Sequence, residues 1–180
     1  DPRLKTTTDK MHEEKFREGL MTYRWGLHHY LTVKEAQNHV MRGEQQDALR
    51  HFYALLVHMG STNEMFEWQA APWGERDVGG NFPPHGWGAA MYNLMLRNML
   101  VQERGGDGGF GTRDLHLFTA VSPEWVKSGQ KISFENAPTE MGPVSATYRF
   151  TDDGATLDIE KEFRSQPNSI VLHIPYFVRL

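Results

Sequence analysis

Arg104-Gly105-Gly106-Asp107-Gly108-Gly109 divides this sequence into two textures, and the expected fold follows from what lies on either side of it. On the N-terminal side, apolar residues recur at helical spacing. Between Lys10 and Tyr30, the residues Met11, Phe16, Leu20, Tyr23 and Leu27 repeat at intervals near a helical turn, with Met21 and Trp25 widening the stripe, which predicts a helix with one buried face. Thr32 followed by Glu35 has the capping-box pattern and predicts a second helix from about Val33. Gly43 ends that helix. The stretch from Glu44 to Met59 predicts a third, with Leu49, Phe52, Tyr53, Leu56 and Val57 inward. From Gly60 to Pro84 the chain carries Gly, Pro, Asn, Asp and Trp without a period, the mark of a long loop. Phe66, Trp68, Trp73 and Phe82 within it argue against disorder. Pro83 and Pro84 suit the entry to a last helix, running to about Glu103 with Ala90, Leu94, Met95 and Met99 available to pack.

On the C-terminal side the runs become short and alternating: Leu115 to Val121, Ile132 to Asn136, Val144 to Phe150, Thr156 to Phe163 and Ser169 to Ile174. Turn signals such as Asp152-Asp153-Gly154 and Gln166-Pro167-Asn168 separate them, so a series of strands is expected, in the manner of a sandwich. The expected class is α+β in two parts, helical over residues 1–104 and β over residues 105–180. The glycine-rich stretch itself reads as a linker. It is not a phosphate loop, since no Lys-Ser/Thr pair follows and no strand leads cleanly into it.

Composition narrows the function classes. The 180 residues are 39% hydrophobic and 23% charged, ordinary for a globular chain with a real core. No apolar run approaches the roughly 20 residues that span a bilayer, so no membrane partner is expected. The formal charge is −4 and the basic residues are scattered, which lacks the footprint of a nucleic-acid binder. There is no cysteine, and with it go disulfides, thiolate metal sites and a thiol nucleophile. Asp1-Pro2-Arg3 lacks both an initiator Met and a signal segment, and the chain closes on the β-forming His173-Ile174-Pro175-Tyr176-Phe177-Val178-Arg179-Leu180. Both ends are read as cuts in a longer chain.

The stretch richest in chemistry is Ser61-Thr62-Asn63-Glu64-Met65-Phe66-Glu67-Trp68, followed by Pro83-Pro84-His85-Gly86-Trp87-Gly88-Ala89-Ala90. Carboxylates, a histidine and tryptophans at the mouth of a helical domain suit a sugar: aromatic faces stack on pyranose C–H faces while polar groups orient the hydroxyls. Glycoside hydrolysis commonly uses two carboxyl groups flanking the scissile bond. Glu67, between aromatics that would desolvate it and adjust its acidity for acid or base work, is the first catalytic candidate. Glu64, Glu75 and Asp77 are partners or sugar ligands. Trp68, Trp73 and Trp87 are candidates for stacking, and His85 for a polar contact to substrate or for buttressing the helix behind the prolines. No cofactor is expected. No metal site is expected either: His28-His29 is a bare pair, and His51 and His58 share a helix face with no third ligand spaced to complete a set.

The order of a helical hairpin, a Glu67-Trp68 loop, a His85-x-Trp87-x-Ala89 helix start, then Ser122-Pro123-Glu124-Trp125 and strands resembles the end of α/α-toroid glycoside hydrolases, in particular α-L-rhamnosidase-like proteins. The resemblance spans about residues 15–175 and rests on pattern and order. It implies helical hairpins of an (α/α) toroid followed by a partial antiparallel β-sandwich, with Glu67 as catalytic base, His85 beside it and a plant or microbial polysaccharide as substrate. The acidic segment that supplies the general acid in such enzymes has no match here. The resemblance therefore implies an inverting two-carboxylate mechanism completed by upstream sequence or by the remainder of an assembly, and no hydrolysis by this chain alone. Export to the periplasm or the medium would suit such an enzyme, though no targeting segment is present. A non-catalytic carbohydrate-binding or structural accessory domain is the alternative.

Overall fold

The computed structural model describes residues 2–23, 26–67, 83–105 and 113–178, with the backbone alone at Tyr23. Among these residues the chain is α+β, with four α-helices and three small, mostly antiparallel sheets. It forms two compact units, Asp1–Leu96 and Arg97–Leu180.

The first unit opens with helix α1 (Pro2–Lys15), then three short strands, β1 (Phe16–Arg17), β2 (Leu20–Tyr23) and β3 (Gly26–His28), in an antiparallel sheet of order β1-β2-β3. The helix expected to run from Lys10 to Tyr30 is thus corrected: it stops at Lys15, and Phe16, Leu20, Tyr23 and Leu27 lie on strands. The cause is local. Glu18 and Gly19 both hold positive φ, 54° and 79°, between the paired residues Arg17 and Leu20, which is the two-residue hairpin turn that matches strand twist. Phe16, Leu20 and Leu27 remain buried, so the apolar positions are right and their period is not.

Helix α2 (His29–Arg42) starts before the expected cap. Thr32 lies within its first turn, where its hydroxyl donates to the His28 carbonyl at 2.5 Å and accepts from the Met21 N–H at 2.8 Å, tying helix to ribbon. Gly43 ends α2 as expected, in the left-handed conformation at φ 74°, with the N–H of Gly43 and of Glu44 returned to the Val40 and His39 carbonyls. Helix α3 (Gln45–Val57) follows at once. Leu49 and Phe52 face the core, but Leu56 and Val57 are exposed, contrary to expectation, because the inward stripe runs through Ala48, His51 and Leu55 instead.

Helix α4 (Gly86–Leu100) crosses from one unit into the other. Within the first unit, Tyr92 stacks on Phe52 at 5.2 Å between ring centres. Met95 and Met99 are buried; Ala90 and Leu94 are exposed. The helix gives way at Val101 to strand β4 (Val101–Gly105), short of the expected limit. Arg104 and Gly105, assigned to a linker from the sequence, are ladder residues opposite Asp114 and Arg113 of β5 (Arg113–Leu117). Gly106 to Gly109 lie outside the described residues.

The second unit contains two three-stranded sheets. One has the order β4-β5-β9, where β9 (Ile170–Leu172) runs parallel to β5; the other is β6 (Lys131–Ala137), β7 (Val144–Thr151) and β8 (Gly154–Lys161), antiparallel throughout. Strict alternation on β7 sends Val144, Ala146, Tyr148 and Phe150 inward, where they meet Leu115, Leu117, Phe118 and Val121 in one core. Trp125, on a short turn capped by the Ser122 hydroxyl, packs against that core. A polar clamp closes one side. Arg97 donates to both Glu103 oxygens, at 2.9 and 3.0 Å, and to the Pro138 carbonyl at 2.8 Å. Burial alone would push the Glu103 carboxyl up, but the paired guanidinium more than offsets this and holds it below the ordinary 4.5.

Two outcomes follow. Gly19→Ala places a methyl 2.7 Å from the Ala54 Cβ at a positive φ, and should lower the unfolding free energy by about 1–3 kcal/mol in a urea titration. Arg97→Ala should cost about 1–3 kcal/mol at pH 7. Because the Glu103 pKa is depressed on folding, its contribution is present above the unfolded value and lost as pH falls through the folded one. The gap between wild type and Arg97→Ala should therefore narrow as pH falls below the ordinary 4.5 and through the depressed folded value, read by denaturation at a series of pH values.

Candidate functional site

The segment after α3 is built by short-range bonds before any site chemistry enters. The Gly60 N–H donates to the Glu64 carbonyl and the Asn63 N–H to that of Gly60, both at 3.0 Å, with Asn63 at φ 60°. The Glu64 carboxylate folds back over this turn, accepting from the Thr62 N–H at 3.0 Å and the Thr62 hydroxyl at 2.5 Å. A Cβ on Gly60 would lie 1.9 Å from its Oε1, so only glycine lets the carboxylate sit there. Glu64, a sugar-ligand candidate from sequence, is thereby engaged in shaping the loop.

Met65 and Phe66 then anchor the chain in the core. Phe66 stacks on His29, ring centres 5.5 Å apart and planes 19° from parallel, and its N–H donates to His29 Nδ1 at 3.2 Å. The Met65 carbonyl accepts from the His85 N–H at 2.9 Å, pinning the start of α4 to this loop. Glu67 follows directly, half-buried, with its backbone held by these two neighbours. Trp68 and Trp73, together with Glu75, Asp77 and Phe82, lie outside the described residues, as does Trp25.

His85 and Trp87 are brought together with a residue the sequence did not single out, Tyr30 of α2. His85 Nδ1 accepts the Gly88 N–H at 3.1 Å, so the side chain caps α4 and the N–H of its ring lies at Nε2. Trp87 is 53% exposed. Its ring lies 5.2 Å from Tyr30 at an interplanar angle of 24°, Tyr30 lies 5.4 Å from His85, and Lys34 Nζ stands 5.0 Å from the Trp87 ring centre. Tyr30 and Lys34 are one turn apart on α2, which explains why both reach the same indole. Beneath them, burial and then the proximity of His85 lower the His28 pKa to about 4, so that ring is neutral at pH 7. The result is an exposed aromatic ledge flanked by N–H donors, which can stack on an apolar ring face and hydrogen-bond its polar rim.

Among the described residues, two groups can supply three ligand atoms to a metal ion: His12, His39 and His51, and, sharing His39, Glu44 and Asp47. His58 Nδ1 donates to the Ala54 carbonyl at the end of α3 at 2.8 Å, while His51 is buried. No helix among the described residues is long and apolar enough to cross a membrane. No family model, curated protein or solved structure matches this chain.

His85→Ala removes the α4 cap and should cost about 0.5–2 kcal/mol in a urea unfolding titration, with the folded protein retaining its helical circular dichroism.

Proposed function

We propose that this chain is the carbohydrate-contacting part of a glycoside hydrolase acting on plant or microbial polysaccharide. The observation that carries the reading is the Tyr30–Trp87 ledge: an exposed indole braced by a parallel ring, with His85 and Lys34 at its margin and the Glu67 loop bonded to the same helix start. A pyranose stacked on Trp87 would present hydroxyls to His85 Nε2–H and Lys34 Nζ. Glu67 would serve as the catalytic base, activating water, with a second carboxyl from the remainder of a longer chain or assembly acting as general acid. In that reading α2 and α3 are a helical hairpin of an (α/α) toroid, and the two sheets of the second unit are a partial β-sandwich. Exposed Leu56, Val57 and Leu94 suit an assembly in which further helices cover them.

A non-catalytic glycan-binding role would use the same ledge without Glu67. Both readings are tested on an array of plant and microbial oligosaccharides, with affinity for any positive measured by calorimetry. Trp87→Ala should weaken binding at least about tenfold, in keeping with loss of one aromatic platform. In the longer chain, Glu67→Gln should abolish hydrolysis while binding persists. Binding that survives Trp87→Ala unchanged removes the ledge from the site; full hydrolysis by Glu67→Gln leaves the binding role alone.

A further inference from the structure

His12, His39 and His51 come from three different helices, α1, α2 and α3, yet each offers a ligand atom within 4.8 Å of the other two. Their ring centres are 5.1 Å (His12–His51), 5.1 Å (His39–His51) and 5.6 Å (His12–His39) apart. Three imidazoles bound through Nε2 at about 2.0–2.1 Å on tetrahedral corners have centres roughly 5 Å apart. His39 is 4% exposed and His51 fully buried, and the Nε2 atoms of all three are buried with no hydrogen-bond partner among the described residues. Buried polar atoms are normally paired, and one cation would satisfy three of them at a single point.

The opposite ring nitrogens are held as metal-binding histidines require. His51 Nδ1–H donates to the Gly19 carbonyl at 2.6 Å, and His39 Nδ1–H to Glu44 Oε2 at 2.7 Å, which leaves the lone pair of each ring on Nε2. Glu44 is itself fixed by Arg42 Nε at 2.8 Å. Glu35, one turn before His39 on α2, is buried; its Oε2 accepts from Asn38 at 3.0 Å and its Oε1 has no partner among the described residues. Glu35 is close enough to act electrostatically on His12 and on Arg42, and it adds negative charge near the three rings, as a divalent cation needs. A surface cavity of about 190 Å³ opens beside two of the three histidines, His12 and His39, with the carboxylates of Asp9, Glu44 and Asp47 and the cations of Lys5 and Arg42 on its walls.

We infer that His12, His39 and His51 form a binding site for one divalent transition-metal ion of the zinc class, held through their Nε2 atoms. Imidazole ligands in a tetrahedral arrangement favour zinc or cobalt over magnesium and calcium, which take oxygen cages. Nothing in the glycan reading requires this ion, and neither proposal depends on the other. Its effect is to join α1, α2 and α3 at a point where the chain has no disulfide to do so.

The test is titration of chelator-treated protein with Co²⁺, followed by visible spectroscopy and by competition of Zn²⁺ against a chromophoric chelator. Wild type should take up one equivalent and show the intense d–d bands of tetrahedral cobalt. His12→Gln, on a helix with no buried residue, should lose those bands and bind Zn²⁺ at least about 100-fold more weakly. Glu44→Gln keeps the three ligands, so it should keep the bands while losing about 10–100-fold in affinity. Circular dichroism establishes that each variant is folded, and if His12→Gln is not, Glu44→Gln decides. No stoichiometric uptake by wild type, an octahedral spectrum, or affinities unchanged in the folded variants would overturn the assignment.

Discussion

The first unit depends on how closely residue 19 approaches α3. Gly19 sits where a side chain would strike Ala54, and its carbonyl is the acceptor for His51. Only a residue without a Cβ, and at ease with φ 79°, can turn the hairpin there and let the ribbon rest on the helix. Once it does, the remaining contacts become available in sequence. Leu20 is buried, the Met21 N–H meets the Thr32 hydroxyl, and α2 is registered against the strands that precede it. The orientation of the His51 ring is then set, and with it the direction in which its other nitrogen points.

The same logic of backbone anchoring places the ledge. Glu67 follows immediately on the anchored Phe66, and Trp87, itself braced by Tyr30, lies two residues beyond His85. Phe66 is stacked on His29, Met65 is bonded to His85, and His85 in turn closes the first turn of α4. The exposed groups are thus carried by buried ones. The second unit achieves its rigidity differently, through an alternating core strand and the Arg97–Glu103 clamp.

Legibility from sequence differed between the halves for physical reasons. Strands β6 to β8 are plain in the sequence because alternation and turn residues agree: Val144, Ala146, Tyr148 and Phe150 leave no other pattern, and Asp152-Asp153 occupies the turn between the paired Thr151 and Gly154, whereas β4 lies where a helix end and a linker are expected. The parallel pairing of β9 with β5 is not plain there, since strand order is a long-range property. Gly43 announced the end of α2. Between Phe16 and Leu27 a helical and an extended pattern overlap over too few residues to separate, and the deciding signal was the Glu18-Gly19 turn. His85 reads from sequence as a helix buttress or a ligand; its Nδ1 accepts the Gly88 N–H, and its Nε2 stays available to the second reading. Tyr30 drew no notice because nothing in its spacing links it to Trp87. The three clustered histidines stand singly on three helices, so no spacing motif exists to find; only folding makes them neighbours.

Helix α1 has no buried residue; beside the ring contacts of His12, its described attachments are polar: Arg42 reaches Thr8 and Asp9, and Lys5 stands near Glu44. A segment fastened by charge has little apolar area to re-form contacts once they open, and its Coulombic ties weaken as ionic strength rises. The N-terminal turns of such a helix, ahead of His12, are where local detachment and amide exchange are expected to begin. Its grip would then be an adjustable property of the solvent, tighter in dilute buffer and looser in brine, while the rest of the unit holds its shape.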